Sequence, residues 1–435
     1  MPIHAALRLL FLTLCSGQLL HVHARTLRRS RAASASTVSE GMLRMPLQRA
    51  ASSQEGHRPL SFFQTSADNG GSAVSSTRHP PQESIFGQIR VGTPPQDFNV
   101  AFDTGSGHLL LVSASCRDVG CLAHRSFDSE KSRSARAIGQ LGSLPGPLNT
   151  TLPEHIALAV STGDAEGDLL QDEVCLGSAA DGGDACASTG IVSMTSMSQT
   201  PWNIFPYDGV LGIGTVGASM EPRFNFLGNL AEIGVLKRNR FAVWMKTEDD
   251  TEESEITFGD FPEERLASEI LWLPVVQLDE GTWQAAMADV YVNGAALGSC
   301  GTGGCEALFD TGTAVLAGPP ALIKGVLDRL NVQEDCSNYE NLPTLGFKFR
   351  MYVLNLERFD YVKRIGDYCY HQLMELDTPG GVGKVFLGDP FMRRYFTIFD
   401  RESLQVGVAF SNHKERVDAT ETNAEKANRL MVNLS

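Results

Sequence analysis

The chain has 435 residues, 42% of them hydrophobic, with 42 Gly, 20 Pro and a formal net charge of −15. That length exceeds one core and fits two domains or one large bilobed unit, and the turn-forming residues point to an all-β protein. Residues 1–80 carry nine Lys and Arg against three Asp and Glu, a net of +6, while the remainder carries 27 against 48, a net of −21. The acidic body argues against nucleic acid as a partner. The basic front predicts an intramolecular complex that loosens as carboxylates are protonated.

Residues 1–24 read as a secretory signal, with Arg8 as basic flank, an apolar run from Leu9 to Leu20, and Val22-His23-Ala24 as cleavage site. The run is too short to span a bilayer. No later segment reaches about 18 apolar residues, so no transmembrane segment is expected in the mature chain. Eight cysteines follow the signal, an even count that predicts disulfides in an exported protein. Cys116/Cys121, Cys175/Cys186 and Cys300/Cys305 are the close pairs, which leaves Cys336/Cys369. Closely spaced cysteines can also hold zinc, but an even count after an export signal favours disulfides, so no metal is expected there.

Residues 25–82 are rich in Ser, Ala, Arg and Gln, with little periodicity, and read as a removable or loosely held pro-segment. Ordered sequence is expected from Ser84, where apolar residues alternate. Thr93-Pro94-Pro95 turns the chain into a strand over Phe98–Phe102, with Asp103 at its end. His155 to Cys175 predicts a hairpin turning over 161–167. Asp208-Gly-Val-Leu-Gly is an apolar run closed by glycine. Helices are expected over Asn225–Leu236 and Pro320–Leu330, a surface loop over Thr247–Glu255, and a mobile polar tail with some helical character at the C-terminus.

Ala-Phe-Asp103-Thr-Gly-Ser returns 207 residues later as Leu-Phe-Asp310-Thr-Gly-Thr. One such tripeptide is weak evidence; two in matching apolar frames predict two halves that face each other and share a site. Two carboxylates brought together in a partly dry site share one proton over an acidic range. Such a pair can draw a proton from water and hydrogen-bond a scissile carbonyl, with no metal, cofactor or covalent intermediate.

These stretches resemble the pepsin-like aspartic endopeptidases. The resemblance covers residues 84–411 and includes Phe86-Gly-Gln-Ile-Arg-Val-Gly-Thr-Pro-Pro-Gln-Asp-Phe, Asp208-Gly-Val-Leu-Gly and Leu387-Gly-Asp-Pro-Phe-Met-Arg-Arg-Tyr-Phe-Thr-Ile-Phe-Asp400. It implies an all-β, bilobed fold: two β-rich lobes related by a pseudo-twofold, a central cleft and a few short helices. The expected division is pro-segment 25–82, an N-terminal lobe 83–262, a C-terminal lobe 263–411 and a tail 412–435. Asp103 and Asp310 are the implied catalytic pair. Thr104 and Thr311 tie the two loops together, and Gly105 and Gly312 let backbone amides approach the carboxylates. Ser106 and Thr313 hydrogen-bond the outer carboxylate oxygens. An apolar-apolar-Gly segment crosses beneath the catalytic loop. The 116/121, 300/305 and 336/369 pairs match the family's disulfides, and 175/186 is additional.

The chain departs from that pattern at the flap. Val160 stands at the position of the family's tyrosine, followed by Ser161, Thr162 and Gly163, and Leu110 stands where Trp is usual. His108 replaces the common Asn. Loss of both hydrogen-bonding partners together leaves no buried polar group stranded. Trp283 is expected at the cleft edge. The implied function is an acid-active endopeptidase made as a zymogen, monomeric, cleaving extended polypeptides and inhibited by its own pro-segment. Its expected location is outside the cell or in an acidic vesicle of the secretory route. The alternative is a weak or inactive peptide-binding relative; intact aspartates and hydroxyls favour activity. A carbohydrate-binding β protein leaves the duplicated motif unexplained. Met42 to Arg49 resembles the start of family pro-segments, with His57, Arg58 or Arg78 as candidates to meet the dyad. Asn149-Thr-Thr and Asn433-Leu-Ser are glycosylation sequons. Asp181-Gly-Gly-Asp184 reads as a solvated turn rather than a calcium loop.

Overall fold

The computed structural model describes residues 37–39, 41–51, 83–160, 163–177, 185–376, 383–413 and 431–433. The signal, the three zymogen candidates, Ser161, Thr162, Asp181 and Asp184 lie outside them. Among the described residues no helix is long and apolar enough to cross a membrane.

The described residues form mostly strands, with a few short helices. Gln96–Asp103 shows why: Phe98, Val100 and Phe102 fall on one face and are buried. Gly209–Gly212 runs parallel to this strand, pairing Gly212 with Asp103, and antiparallel to Leu109–Val112. The second half repeats the plan. Lys384–Leu387 runs parallel to Cys305–Phe309 and antiparallel to Leu316–Gly318. The duplicated sequence is therefore a duplicated three-strand module, with an aspartate at or just beyond the end of each first strand. Between the modules runs a shared sheet in which Tyr395–Asp400, Arg240–Trp244 and Ser254–Phe258 lie side by side. Its core includes Phe241 stacked on Phe399 at 4.6 Å, with Trp283 edge-on to both.

Trp283 is thus a core residue, not a cleft-edge one. It is 1% exposed and its Nε1 donates to the Ile213 carbonyl at 3.0 Å. An aromatic of that size fills the seam between strands from both halves of the sequence.

Order also begins earlier than Ser84. Met42–Ala51 is a ten-residue strand inserted into the sheet. Its first part pairs with Ser254–Phe258 and its last four residues with Glu83–Phe86. Leu43, Met45 and Leu47 alternate into the core at 3%, 1% and 1% exposure. Arg49 reaches Asp389 at 2.8 Å, and Arg393 holds the other oxygen of the same carboxylate at 3.1 Å. Burial pushes the Asp389 carboxyl up, but Arg393 and Arg49 outweigh it and hold it down at about 2. Acid therefore does not loosen this one contact until well below the ordinary carboxylate range.

The hairpin 155–176 turns over only two residues. Val160 pairs with Gly163, and Gly167 sits within the strand opposite Ile156. Gly167 is needed for space: a Cβ there would lie 2.7 Å from the Ser193 carbonyl. Phe226–Glu232 is the shorter form of the expected helix, capped by the Asn225 side chain accepting from Gly228 N–H. Pro320–Leu330 matches its expected bounds and buries Leu322, Ile323, Val326 and Leu330. The loop expected over 247–255 ends earlier, because Ser254 and Glu255 begin the Ser254–Phe258 strand, and it is tied down: His413 Nδ1 lies 2.7 Å from Asp250. In the expected tail, Asn412 and His413 are described, and Met431–Asn433 is a strand beside Tyr352–Leu356. All four disulfides form with the expected partners: 116/121, 175/186, 300/305 and 336/369.

Candidate active site

Each aspartate is delivered by a strand end and held by the loop that follows. Asp103 Oδ1 accepts from Gly105 N–H at 3.0 Å, and Asp310 Oδ1 accepts from Gly312 N–H at 2.9 Å. A methyl at Gly105 would sit 3.3 Å from Oδ1 of both aspartates, so the two carboxylates converge on one small space that only glycine leaves open. Asp103 is 0% exposed and Asp310 2%.

Thr104 and Thr311 lock the two loops. Thr104 N–H donates to Thr311 Oγ1 at 3.1 Å, and Thr311 N–H donates to Thr104 Oγ1 at 3.0 Å. Thr104 Oγ1 donates to the Phe309 carbonyl at 2.7 Å, and Thr311 Oγ1 to the Phe102 carbonyl at 2.5 Å. Every contact has its mirror in the other half. Beneath the loops, Gly212 and Gly388 cross so closely that a Cβ would lie 2.5 Å from Gly107 N and 2.1 Å from the Thr313 carbonyl. The closing glycine of each apolar run is thus fixed by the backbone passing over it.

The mirror fails at the hydroxyls. Thr313 Oγ1 donates to Asp310 Oδ2 at 2.5 Å. Ser106 Oγ and Asp103 Oδ2 are both buried and neither has a formed hydrogen bond. Burial raises the Asp103 carboxyl, the charge of Asp310 raises it further, and the nearby Ser106 hydroxyl and Gly105 N–H only partly oppose this. Burial also raises Asp310, but Thr313, Gly312 and a hydrogen bond from Asp103 pull it back. Both carboxyls are raised, so the pair favours one shared proton.

The flap side is apolar. Leu110 is buried in a cluster with Val192, Val210 and Phe224, against which Leu158 of the 155–160 strand packs. The backbone of Val160 ends that strand; its side chain lies outside the described set. His108 Nε2 accepts from Met220 N–H at 2.9 Å, and its ring stands edge-on to Phe224 at 5.7 Å. Burial pushes His108 down to about 4.

Sequence reading missed Tyr207. Its ring is buried and stacks on Phe205 at 4.9 Å. Burial, and then the charge of Asp103, push its phenol well above the usual range, which places it in the field of the dyad. Only its place next to Asp208-Gly could have flagged it. Asp208 itself is structural: its carboxylate accepts from Asn99 N–H and from Arg125 Nε at 2.9 and 2.8 Å.

Comparison with known proteins agrees with this geometry. Residues 84–411 match the eukaryotic aspartyl protease family. Pepsin II-2/3 of Oryctolagus cuniculus is 30% identical over 333 residues, covering 74% of this chain and 80% of its own. Pepsin A of Sus scrofa is 29% identical, covering 74% and 80%, and pregnancy-associated glycoprotein 2 of Bos taurus is 28% identical, covering 75% and 82%. With its matched stretch spanning both aspartates and both threonine-locked loops, the chain belongs to the eukaryotic aspartyl protease family.

Proposed function

We propose that this chain is an active aspartic endopeptidase that hydrolyses extended polypeptides in acid. The convergence of Asp103 and Asp310 on one space beside Gly105 carries the reading. Asp310, with its three donors, acts as the ionised base, and Asp103 carries the proton. Asp310 takes a proton from water as the water oxygen bonds to the scissile carbonyl carbon. Asp103 gives its proton to the carbonyl oxygen, yielding a neutral gem-diol. Asp310 then protonates the amide nitrogen, a gem-diol proton returns to Asp103, and the C–N bond breaks to acid and amine. Thr313 and the Gly312 amide hold Asp310 in place, while the threonine lock fixes the separation of the two groups.

The remaining elements of the proposal follow from the same frame. The N-terminal lobe spans 83–262 and the C-terminal lobe 263–411, with the 155–176 hairpin over the substrate. Residues 25–82 form a pro-segment of a precursor in the secretory route, of which the Met42–Ala51 strand stays seated in the sheet, and the enzyme works as a monomer. The lone Ser106 hydroxyl favours a second reading, a peptide binder with little turnover. A peptide-library assay near pH 5, with Asp103→Asn and Asp310→Asn as controls and a statine-type mimic as inhibitor, separates the two. Cleavage lost in both variants supports the enzyme. Peptide binding without cleavage in the unaltered protein supports the binder.

A further inference from the structure

We propose that His108 is a specificity-determining residue, donating its Nδ1–H to an Asn or Gln side chain of the substrate in the cavity beside Asp103. This deepens the protease reading and rests on it. The cavity, of about 90 Å³, lies between the catalytic loop and the 155–160 strand. Asp103, Ser106 and His108 form its polar side; Leu110, Leu158 and Val210 form its apolar side.

One polar atom on that side wants a partner. The Nε2 lone pair of His108 is taken by Met220 N–H, which puts the ring proton of the neutral imidazole on Nδ1. Among the described residues no acceptor meets Nδ1, yet it is not among the buried unpaired atoms, so it is reachable from solvent. Ser106 Oγ and Asp103 Oδ2 are buried behind this wall, where the Ser106 hydroxyl acts on the Asp103 carboxyl rather than on the cavity. The ring is also held in place. Phe224 flanks it, and Ser219 Oγ donates to the Gly107 carbonyl at 2.9 Å, clamping the 216–220 segment onto the catalytic loop. With burial holding His108 at about 4, the ring is neutral near pH 5 and offers a single directional donor.

A carboxamide matches this set. Its oxygen accepts from Nδ1–H, and its NH₂ is left to face solvent at the mouth of the cavity. A leucine of similar size fills the apolar side but strands the His108 donor, the situation that makes hydrogen-bonding sites reject apolar analogues. Lys and Arg bring no acceptor. A carboxylate meets the negative charge of the dyad.

The test uses matched peptides carrying Asn or Leu at each of four positions around the scissile bond, with kcat/KM read near pH 5. Reduced-bond versions of the same peptides give Kd by calorimetry, so the side-chain preference is measured even if the protein does not cleave. At one position the unaltered protein should favour Asn over Leu by about tenfold, about 1.4 kcal/mol. His108→Phe should abolish or invert that ratio, and His108→Asn, which keeps an N–H donor, should retain part of it. Ala159→Phe, which fills the cavity from the hairpin side with His108 intact, should also erase it and stands in if the His108 variants do not fold. A ratio near one at every position in the unaltered protein overturns the proposal. So does a preference that survives His108→Phe or Ala159→Phe. Loss of cleavage with the binding preference intact would refute the protease reading alone.

Discussion

Thr104→Val removes one hydroxyl and keeps the shape of the side chain. The lost oxygen donates to the Phe309 carbonyl at 2.7 Å and accepts from Thr311 N–H at 3.0 Å, in a spot where Thr104 is 0% exposed. The substitution strands one buried carbonyl and one buried N–H. At about 1–3 kcal/mol for each stranded group, the expected loss is about 2–6 kcal/mol. Thr311→Val strands the Phe102 carbonyl and Thr104 N–H and should cost a similar amount. The double variant should fall short of the sum, because the two hydroxyls lie 3.4 Å apart in one interlocked network. Urea unfolding in an Asp103→Asn background, which suppresses self-digestion, gives the four corners of the cycle. The reasoning fails if either single change costs less than about 0.5 kcal/mol, or if the two costs add without coupling.

Other outcomes follow from the same contacts. Asp103→Asn should raise stability at neutral pH and leave it nearly unchanged near pH 4. A raised carboxyl favours the native state at low pH and loses that advantage as pH climbs through its native value, so melting curves compared at the two pH values test the sign. The acid limb of the kcat/KM profile should lie above the ordinary Asp value of about 3.9, since Asp310 is also raised; a limb near pH 2 would contradict this. Replacing Cys336 and Cys369 by Ser opens a link spanning 33 residues and should lower stability by about 4 kcal/mol by chain entropy, checked by denaturant midpoint. Arg49→Met should cost about 2–3 kcal/mol, less than full loss of a buried pair because Arg393 still faces Asp389. After a nick within residues 52–82, a peptide containing Met42–Ala51 should still co-elute with the body near pH 5. The Asp389 contact contributes above about pH 4 and fades only as pH falls toward about 2. Release of the peptide at pH 5 would show that the strand is not held as described.

The catalytic pair was legible because its chemistry needs the same local frame twice, and a duplicated frame is visible in one sequence. The cysteine pairs were legible for a related reason: short spacing limits the choices. Trp283 was misplaced because an aromatic beside a catalytic strand looks alike in sequence whether it faces a cleft or a core; Phe241 and Phe399 decide it, and both are distant in the chain. Gly167 looks like a turn residue in the sequence, but the close approach of Ser193 accounts for it. The Met42–Ala51 strand did carry a signal in the alternation of Leu43, Met45 and Leu47. What hid it was a polar, aperiodic setting and a partner strand that begins at Ser254. The partners of His108 and Tyr207 come from segments folded beside them, and no spacing rule reports that.

The placement of Met42–Ala51 bears on how this protein is best produced. A recombinant chain starting at Glu83 would leave two neighbouring strands with bare edges and a trough where three large side chains had been. Unpaired edges flanking an apolar slot invite a foreign strand, so such a truncation should clump or swap segments between copies. A chain that starts upstream of Met42, or is supplied with that decapeptide in trans, should stay dispersed.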